Sequence, residues 1–548
     1  MATPTIAKSV LTDRNSSYKS QDVIEIYIAP EDVPLLNPNE TYIKFVVQMN
    51  LGSGTAADPF VLAQPDERAG AHSLIREVQI YDGQNQQLLE QLENYNNWTA
   101  QKFHYDKTPG LDNLRALMEG QSRKQGNNMT SLYFSGNALA NPQVKPVEVC
   151  MPLHMSGILQ GSKVFPVILT SGLRIRITLA DNAQCLKAFT QVGVATNTAP
   201  AVGAASAANE NPIPTQDNIL TSFNTNGAFF ESNVAIAAGN ITTLTLKSAG
   251  ATAPNINATN DNVPFRKGQV VGFEINGAGA NAGKIFNCGV ITDITNPAGQ
   301  VVLTFAQVAV AAADAAVAGA KIFVYADDNF QNAPKYEVRN VDMVCSVVQA
   351  QQSVIDGMVR KVNSGSVKLD YSTYNIYRNN LNARVNRPNI NFQTTERRAK
   401  SIMSFPMGTS NSVLLSNFRP VRGGMLNYQY NIANRLTPNR RVDVARVAQQ
   451  PNNTPVYEWN AIHQHELEKA LGRWKVPPRF LARNSEAFAV ARELAKVGHS
   501  FNANSQEIIL NMEYSTAADA NTEEKLLDTW VYHIRTLVIS PSSIAVEY

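Results

Sequence analysis

The stretch FPVILTSGLRIRITLADN, residues 165–182, decides the fold. It reads as two strands and a turn. In LRIRITLA (173–180), Leu173, Ile175, Ile177 and Leu179 share one face and Arg174, Arg176 and Thr178 the other, because strand side chains alternate sides. Thr170-Ser171-Gly172 supplies a glycine where a tight turn needs positive φ. One face is expected to pack a core and the other to meet water or a partner.

The same period of two recurs along the chain between Gly, Pro, Asn and Asp: DVIEIYI (22–28), YIKFVVQMNL (42–51), VEVCMPL (147–153), YEVRNVDMVCSVV (336–348), EIILNMEY (507–514) and WVYHIRTLVIS (530–540). Many short strands with little strand–helix alternation predict an all-β chain of antiparallel sandwiches rather than a doubly wound sheet. Helices are few. LEQLENYNNW (89–98) and DNLRALMEG (112–120) read as short helical turns between strands. AIHQHELEKALGRW (461–474) places Leu467, Ala470, Leu471 and Trp474 at helical spacing behind an Asn460 N-cap. Each is expected to lie as a lid over a sandwich end.

Residues 190–332 differ in kind, being rich in Ala, Gly and Asn. Between 191 and 330 there are 9 Asp+Glu and 5 Lys+Arg, or 14 charges in 140 residues, against 78 in the remaining 408. Strand-like runs such as KIFNCGVITDI and QVVLTFAQV nevertheless recur there, which predicts a small β-domain inserted in a loop. Such a guest is tolerated because doubling a loop's length costs only about 0.6 kcal/mol. The host sandwich is expected to resume at KYEVRNVDMVCSVVQ. The division reads as an N-terminal arm (1–20), a first sandwich (21–349) interrupted by 190–332, a linker (350–394) and a second sandwich (395–548).

At 548 residues, 44% hydrophobic and 17% charged, the chain has material for two or three cores. A formal charge of +2 supplies no overall field for nucleic acid or an anionic membrane, so any such partner needs a local patch. Cys150, Cys185, Cys288 and Cys345 lack the paired spacing of zinc or redox sites and read as buried free thiols. The N-terminal MATPTIAKSVLTDRNSSYKSQ lacks a signal peptide's apolar core, and no run approaches the roughly 18 apolar residues that span a bilayer. Manufacture and use in a reducing compartment are expected, so the Asn97-Trp98-Thr99 sequon carries no glycosylation meaning.

Two motifs point toward chemistry and fail on spacing. His463-Gln464-His465 has the form of a strand-borne metal pair, but Lys469 stands where the third ligand belongs and the local pattern is helical, so exposed helix histidines are expected. AGANAGKI (278–285) nearly reproduces a phosphate-binding loop, yet Ile285 replaces the Ser/Thr and a strand follows, so it reads as a hairpin loop. No Ser/His/Asp signature or paired-carboxylate motif stands out, and neither an enzymatic activity nor a cofactor or metal is expected. The main electrostatic signal lies between 378 and 442: Arg378, Arg384, Arg387, Arg397, Arg398, Lys400, Arg419, Arg422, Arg435, Arg440 and Arg441 against Glu396 alone. Arginine favours planar bidentate pairing. These eleven are candidate contacts to another subunit or a polyanion, the alternative being internal pairing with acid-rich stretches such as Asp22 to Glu40.

SLIREVQIYDGQNQQLLEQLENYNNW (73–98), KVFPVILTSGLRIRITLADN (163–182) and YEVRNVDMVCSVV (336–348), followed by TTERRAKSIMSFPM (394–407), LNYQYNIANRLTPNRRVDV (426–444) and VYHIRTLVISPSSIAVEY (531–548), stand in a distinctive order. That order resembles the double jelly-roll major capsid proteins of the adenovirus lineage, especially those of virophages, Polintons and Polinton-like viruses. The resemblance covers the chain apart from the arm and the insertion. It implies two tandem eight-stranded jelly rolls in a pseudo-hexameric homotrimer that tiles the icosahedral shell of a double-stranded DNA virus, with the insertion as an outer tower. It further implies neighbouring capsomers, penton and minor or cement capsid proteins as partners, indirect contact with a genome or inner membrane, and a place in the virion after assembly inside the host cell. The rival expectation is a trimeric receptor- or carbohydrate-binding spike or fibre protein.

Overall fold

The computed structural model describes residues 5–11, 17–50, 60–65, 69–105, 118–120, 146–192, 212–213, 230–231, 236–246, 270–274, 285–295, 302–310, 321–325, 335–408, 418, 420, 422, 424–449, 455–459, 461–471, 488–495, 499–504, 506–515, 524–541 and 543–547. The chain is predominantly β, and among the described residues the strand pairings are antiparallel.

Eight strands make the first sandwich: β1 (Thr5–Leu11), β2 (Val23–Ile28), β3 (Leu36–Asn50), β4 (Ile75–Asp82), β5 (Leu88–Leu92), β6 (Val147–Met151), β7 (Leu173–Leu179) and β8 (Lys335–Val348). They form two sheets in the orders β1-β8-β3-β6 and β2-β7-β4-β5. The second sandwich uses β9 (Val367–Leu381), β10 (Asn389–Phe392), β11 (Ala399–Gly408), β12 (Met425–Ile432), β13 (Arg435–Asp443), β14 (Val490–Glu493), β15 (Ile508–Tyr514) and β16 (Lys525–Ile539). Its sheets run β9-β16-β11-β14 and β10-β15-β12-β13, the first pair of orders with eight added to every number. In each, the first strand pairs with the eighth, the second with the seventh, the third with the sixth and the fourth with the fifth. A long antiparallel ribbon folded over itself in this way is a jelly roll. Short strands Ser17–Lys19 and Ile544–Glu547 extend β8 and β16 respectively.

Alternation drives each barrel closed. Along β7, Leu173, Ile175, Ile177 and Leu179 are each 2% exposed or less, facing Ile24, Ile26 and Ile28 of β2 and Val78 and Ile80 of β4. Each such side chain contributes about 1.5–3 kcal/mol before the cost of ordering it. The segment before β7 departs from expectation: Val167–Thr170 is a 3-10 turn, not a strand, with Ser171 (φ 55°) and Gly172 (φ 105°) reversing the chain. Gly83 packs into this corner, where a Cβ would stand 1.7 Å from the Ser171 carbonyl oxygen.

Helix α1 (Tyr95–Tyr105) lies between β5 and β6, and α3 (Ala461–Ala470) lies between β13 and β14, the matching position in the second barrel. The helix α2 (Gln352–Asn363) joins the barrels. Within the insertion, seven strands form a separate sheet between β7 and β8, with Phe273 stacked on Phe286 at 5.0 Å and Ile291, Leu303 and Phe305 buried. Its buried residues belong to neither barrel's apolar cluster.

Four expectations are corrected here. The arm is not separate from the barrel, since Thr5–Leu11 is β1, paired to β8 from Thr5↔Val348 to Leu11↔Asp342. The stretch 350–394 is not a plain linker: β9 pairs with β16 along fifteen positions, from Val367↔Ile539 to Leu381↔Lys525, and only α2 and its flanks connect. Residues 88–92 are strand β5, held by β4, and helix starts at Tyr95. Finally, α1 is no peripheral lid, since Trp98, Ala100 and Gln101 are buried. Most of 112–120, with Asn460 and Trp474, lies outside the described residues. No helix among the described residues is long and apolar enough to cross a membrane.

Candidate functional site

The barrels meet along a seam built by α1. Trp98 projects from it onto the second barrel, stacking on Trp530 of β16 (centroids 4.8 Å apart) and touching Phe405 of β11 (5.6 Å) and Tyr374 of β9 (5.1 Å). One turn of polar contacts brackets these rings. Asn97 Nδ2 donates to Asp528 Oδ2 at 2.5 Å, and Gln101 Nε2 donates to the Phe418 carbonyl at 2.7 Å. The Tyr371 hydroxyl donates to the Leu89 carbonyl. At Gly157 a Cβ would lie 1.9 Å from the Ser372 carbonyl oxygen, so only glycine lets the chain approach β9. Beside it the fully buried Glu90 carboxylate accepts from Ser156 Oγ (2.5 Å) and from the Gly157 (2.8 Å) and Ile158 (3.3 Å) amides. Burial raises its pKa, and these hydrogen bonds oppose the rise. Apolar residues of both barrels, from Ile26 to Trp530 and Ile539, belong to one cluster.

The arginine-rich segment does not converge on one face. Arg378 grips Asp528 with both Nε (2.7 Å) and Nη2 (3.0 Å), which places it on the seam. Arg387 and Arg441 converge on Glu513 at 2.9 and 2.6 Å, while Arg398 makes a bidentate pair with Asp370 at 2.9 and 3.2 Å. These hydrogen bonds raise the pKa of Arg398 and lower that of Asp370; the Glu513 pKa is lowered by Asn427 first and then by Arg387. Lys400 donates to the His499 carbonyl, and Arg422 is buried. Exposed Arg384, Arg397, Arg435 and Arg440 make no ion pair among the described residues. Arg419 lies outside them. The internal partners are thus Asp528, Glu513 and Asp370, not the Asp22–Glu40 stretch, because β9, β15 and β16 carry these carboxylates within the arginines' own barrel.

On the outer face of β7, Arg174 Nη1 donates to Glu25 Oε1 at 3.0 Å and its guanidinium lies 4.8 Å from the Tyr27 ring centre; Arg176 sits 5.1 Å from that of Tyr81 and 3.5 Å from Glu25. These arginines therefore find partners on β2 and β4 within their own sheet. Val23 and Tyr27, 51% and 40% exposed, leave that face partly apolar.

Three ionisable side chains that the sequence reading passed over come together inside the first barrel's loops. His72 Nε2 lies 3.3 Å from Glu119 Oε2, and His154 Nε2 lies 3.0 Å from Glu119 Oε1. One ligand atom from each falls within 4.8 Å of the others. His72 and Glu119 are buried and His154 is 17% exposed. Burial pushes the Glu119 pKa up, but the hydrogen bonds and charge of the two imidazoles hold it well below the carboxylate range. No motif announces the cluster, because its members are separated by 47 and 35 residues.

By contrast, the His463-Gln464-His465 pair is split. His463 is fully buried between the rings of Tyr428 (5.6 Å) and Phe488 (5.7 Å), and desolvation lowers its pKa to about 3, whereas His465 is exposed. The expectation of two exposed histidines thus fails for His463, which turns inward with Leu467 and Ala470. Residues 278–284 lie outside the described residues, and Ile285 opens the strand Ile285–Thr295. Cys185, Cys288 and Cys345 are buried free thiols, and Cys150 is a half-buried one.

No family model matches the sequence, and no curated protein matches it. Among solved structures, the chain is similar to the PBCV-1 virus capsid (quasi-atomic model; 10% identity, TM-score 0.46, covering 100% of this chain and 98% of that one). It is also similar to the Faustovirus major capsid protein (8%, 0.45, 98% and 91%) and the mavirus major capsid protein (8%, 0.35, 100% and 91%). Identity is at most 10% in each case and each TM-score is below 0.5.

Proposed function

We propose that the chain is a capsid subunit: a non-enzymatic shell protein that assembles as a homotrimer with a pseudo-hexagonal outline. One observation carries the reading. Two jelly rolls with the same strand order stand side by side in one polypeptide, so a threefold ring presents six barrels. A six-cornered block tiles a curved surface with neighbours of its own kind. The seam of Trp98, Trp530, Arg378 and Asp528 supports this role by fixing one barrel against the other, as a repeating shell geometry requires.

The subunit contacts are assigned to the outer sheet faces, such as the Val23, Tyr27, Arg174 and Arg176 surface, and to exposed Arg384, Arg397, Arg435 and Arg440. An obligate interface would bury roughly 2,000–5,000 Å². Penton and minor capsid proteins would meet the block's edges, the inserted seven-stranded sheet would form an outward tower, and the protein would reside in the shell of a double-stranded DNA virus.

Mass photometry of the purified chain tests the trimer, which should appear at about three times the 59.9 kDa chain mass. Electron microscopy then tests tiling: hexagonal plates or shells are expected. A folded monomer under assembly-permissive conditions overturns the reading, and isolated trimers that never tile favour a spike protein instead.

A further inference from the structure

We propose that His72, Glu119 and His154 bind a divalent transition-metal ion of the zinc class. Two imidazole nitrogens and one carboxylate form a donor set suited to zinc and poorly matched to calcium or magnesium, which take oxygen ligands. The spacing is close to what such an ion needs. His72 Nε2 lies 3.3 Å from Glu119 Oε2 and His154 Nε2 lies 3.0 Å from Glu119 Oε1, with one donor atom from each residue inside 4.8 Å of the others, while tetrahedral bonds of about 2.0–2.2 Å put donors about 3.3–3.6 Å apart. Seating the ion would bring one Glu119 oxygen between the two imidazoles and draw the three donors together.

The surrounding chain holds the three in place. His72 sits in the 3-10 turn Gly70–Leu74 before β4, and the Ala71 amide donates to the Glu119 carbonyl at 2.8 Å, tying two of the three segments together by backbone. His72 Nδ1 lies 2.9 Å from the Tyr95 hydroxyl, a contact that orients the ring and turns Nε2 toward Glu119. A partner on the far nitrogen is the usual support for a metal-bound imidazole. His154, half-buried beyond β6, offers the third donor and a path from solvent. A water molecule would complete four-coordination. The ion would staple the β4 approach, the segment following α1 and the loop after β6 into one unit.

The experiment uses the full-length protein, stripped with EDTA and freed of chelator. Zinc chloride is titrated against a competing indicator, bound metal is counted by mass spectrometry, and cobalt(II) chloride reports geometry by absorption. About one zinc per chain, an intense tetrahedral cobalt spectrum and a zinc-dependent rise in Tm are expected. His154→Gln and Glu119→Gln should each weaken zinc binding by at least about 100-fold, beyond the effect of losing an outer-sphere partner. His465→Ala should change nothing. Should Glu119→Gln misfold, the half-buried His154→Gln carries the comparison, with circular dichroism checking its fold. Absence of stoichiometric zinc on the folded wild type, or unchanged affinity in His154→Gln, would mean a plain hydrogen-bonded cluster and overturn the proposal. Neither result bears on whether the chain forms trimers.

Discussion

Replacing Trp98 by alanine should loosen the seam while leaving each barrel's own sheets intact. The side chain is 3% exposed, and its ring partners Tyr374, Phe405 and Trp530 all belong to the second barrel. Truncating a buried tryptophan costs about 3–5 kcal/mol, and a stacked aromatic pair contributes about 0.5–1.5 kcal/mol beyond its buried area. Among the described residues neither the Trp98 nor the Trp530 indole N–H has a hydrogen-bond partner, so the loss is reckoned from packing. The assay is equilibrium urea unfolding followed by tryptophan emission and far-UV circular dichroism. Wild type should give coincident transitions, and Trp98→Ala a destabilisation of about 3–5 kcal/mol with the barrels separating into two steps. A double-mutant cycle with Trp530→Ala isolates the stack, expected to couple by about 0.5–1.5 kcal/mol. A loss under about 1 kcal/mol, or singles that add within about 0.5 kcal/mol, would refute the seam as the tie between barrels.

Gly157→Ala drives a methyl into the Ser372 carbonyl and should lower stability by about 1–3 kcal/mol or more, whereas Gly357→Ala, in open space on α2, should raise it by up to about 1 kcal/mol; thermal melts of the two variants check both signs. Burial lowers the pKa of His533 to about 4 and of His463 to about 3, with Arg535 adding to the effect at His533. Both folded values lie below the unfolded value of about 6.5, so the unfolded chain binds more protons in that window and stability, full above pH 6.5, falls as pH drops toward 4. The His533 share is on the order of 3 kcal/mol, and His533→Gln, which keeps an acceptor for Arg535 Nε, should flatten the Tm–pH profile; parallel profiles would contradict it. Deleting about 195–330 behind a short linker should leave a folded trimer by circular dichroism and mass photometry, because the insertion's buried residues join neither barrel's apolar cluster; loss of soluble protein would place the insertion in the core or interface.

What was legible in the sequence follows which strands have one dry and one wet face. β7, β2 and β15 alternate strictly, and their patterns survive folding residue by residue. β9 reads as linker from sequence because VKLDYSTYNIYRNNL lacks a clean apolar alternation, and in the fold Thr373 and Leu381 are its only buried residues while Tyr371 and Tyr374 lie half-covered at the seam. A strand between a barrel and its twin has no wholly wet face, so period-two hydrophobicity fades. The seam hides for another reason. Asn97 and Asp528 are 431 residues apart, and neither carries a local signature of pairing. The metal candidate hides likewise, since His72, Glu119 and His154 are brought together only by loops that follow the barrel's strand order.

The repeated strand order bears on this limit. β2 and β10 hold the same place in their barrels, yet VIEIYI and NINF share little, as do β7 and β15, LRIRITL and IILNMEY. What the two halves have in common is pairing of first with eighth and second with seventh, with a helix between the fifth and sixth strands. That scheme depends on which faces are apolar and not on which apolar residue is used, so many sequences satisfy it and similarity fades while geometry persists. Charges are then free to differ between halves: Arg174 and Arg176 meet Glu25 in one, while Arg387 and Arg441 meet Glu513 in the other. For the proposed shell subunit this freedom is useful, because six barrels of one outline but two surface chemistries would give a trimer edges that alternate, and alternating edges select the orientation of the neighbouring block.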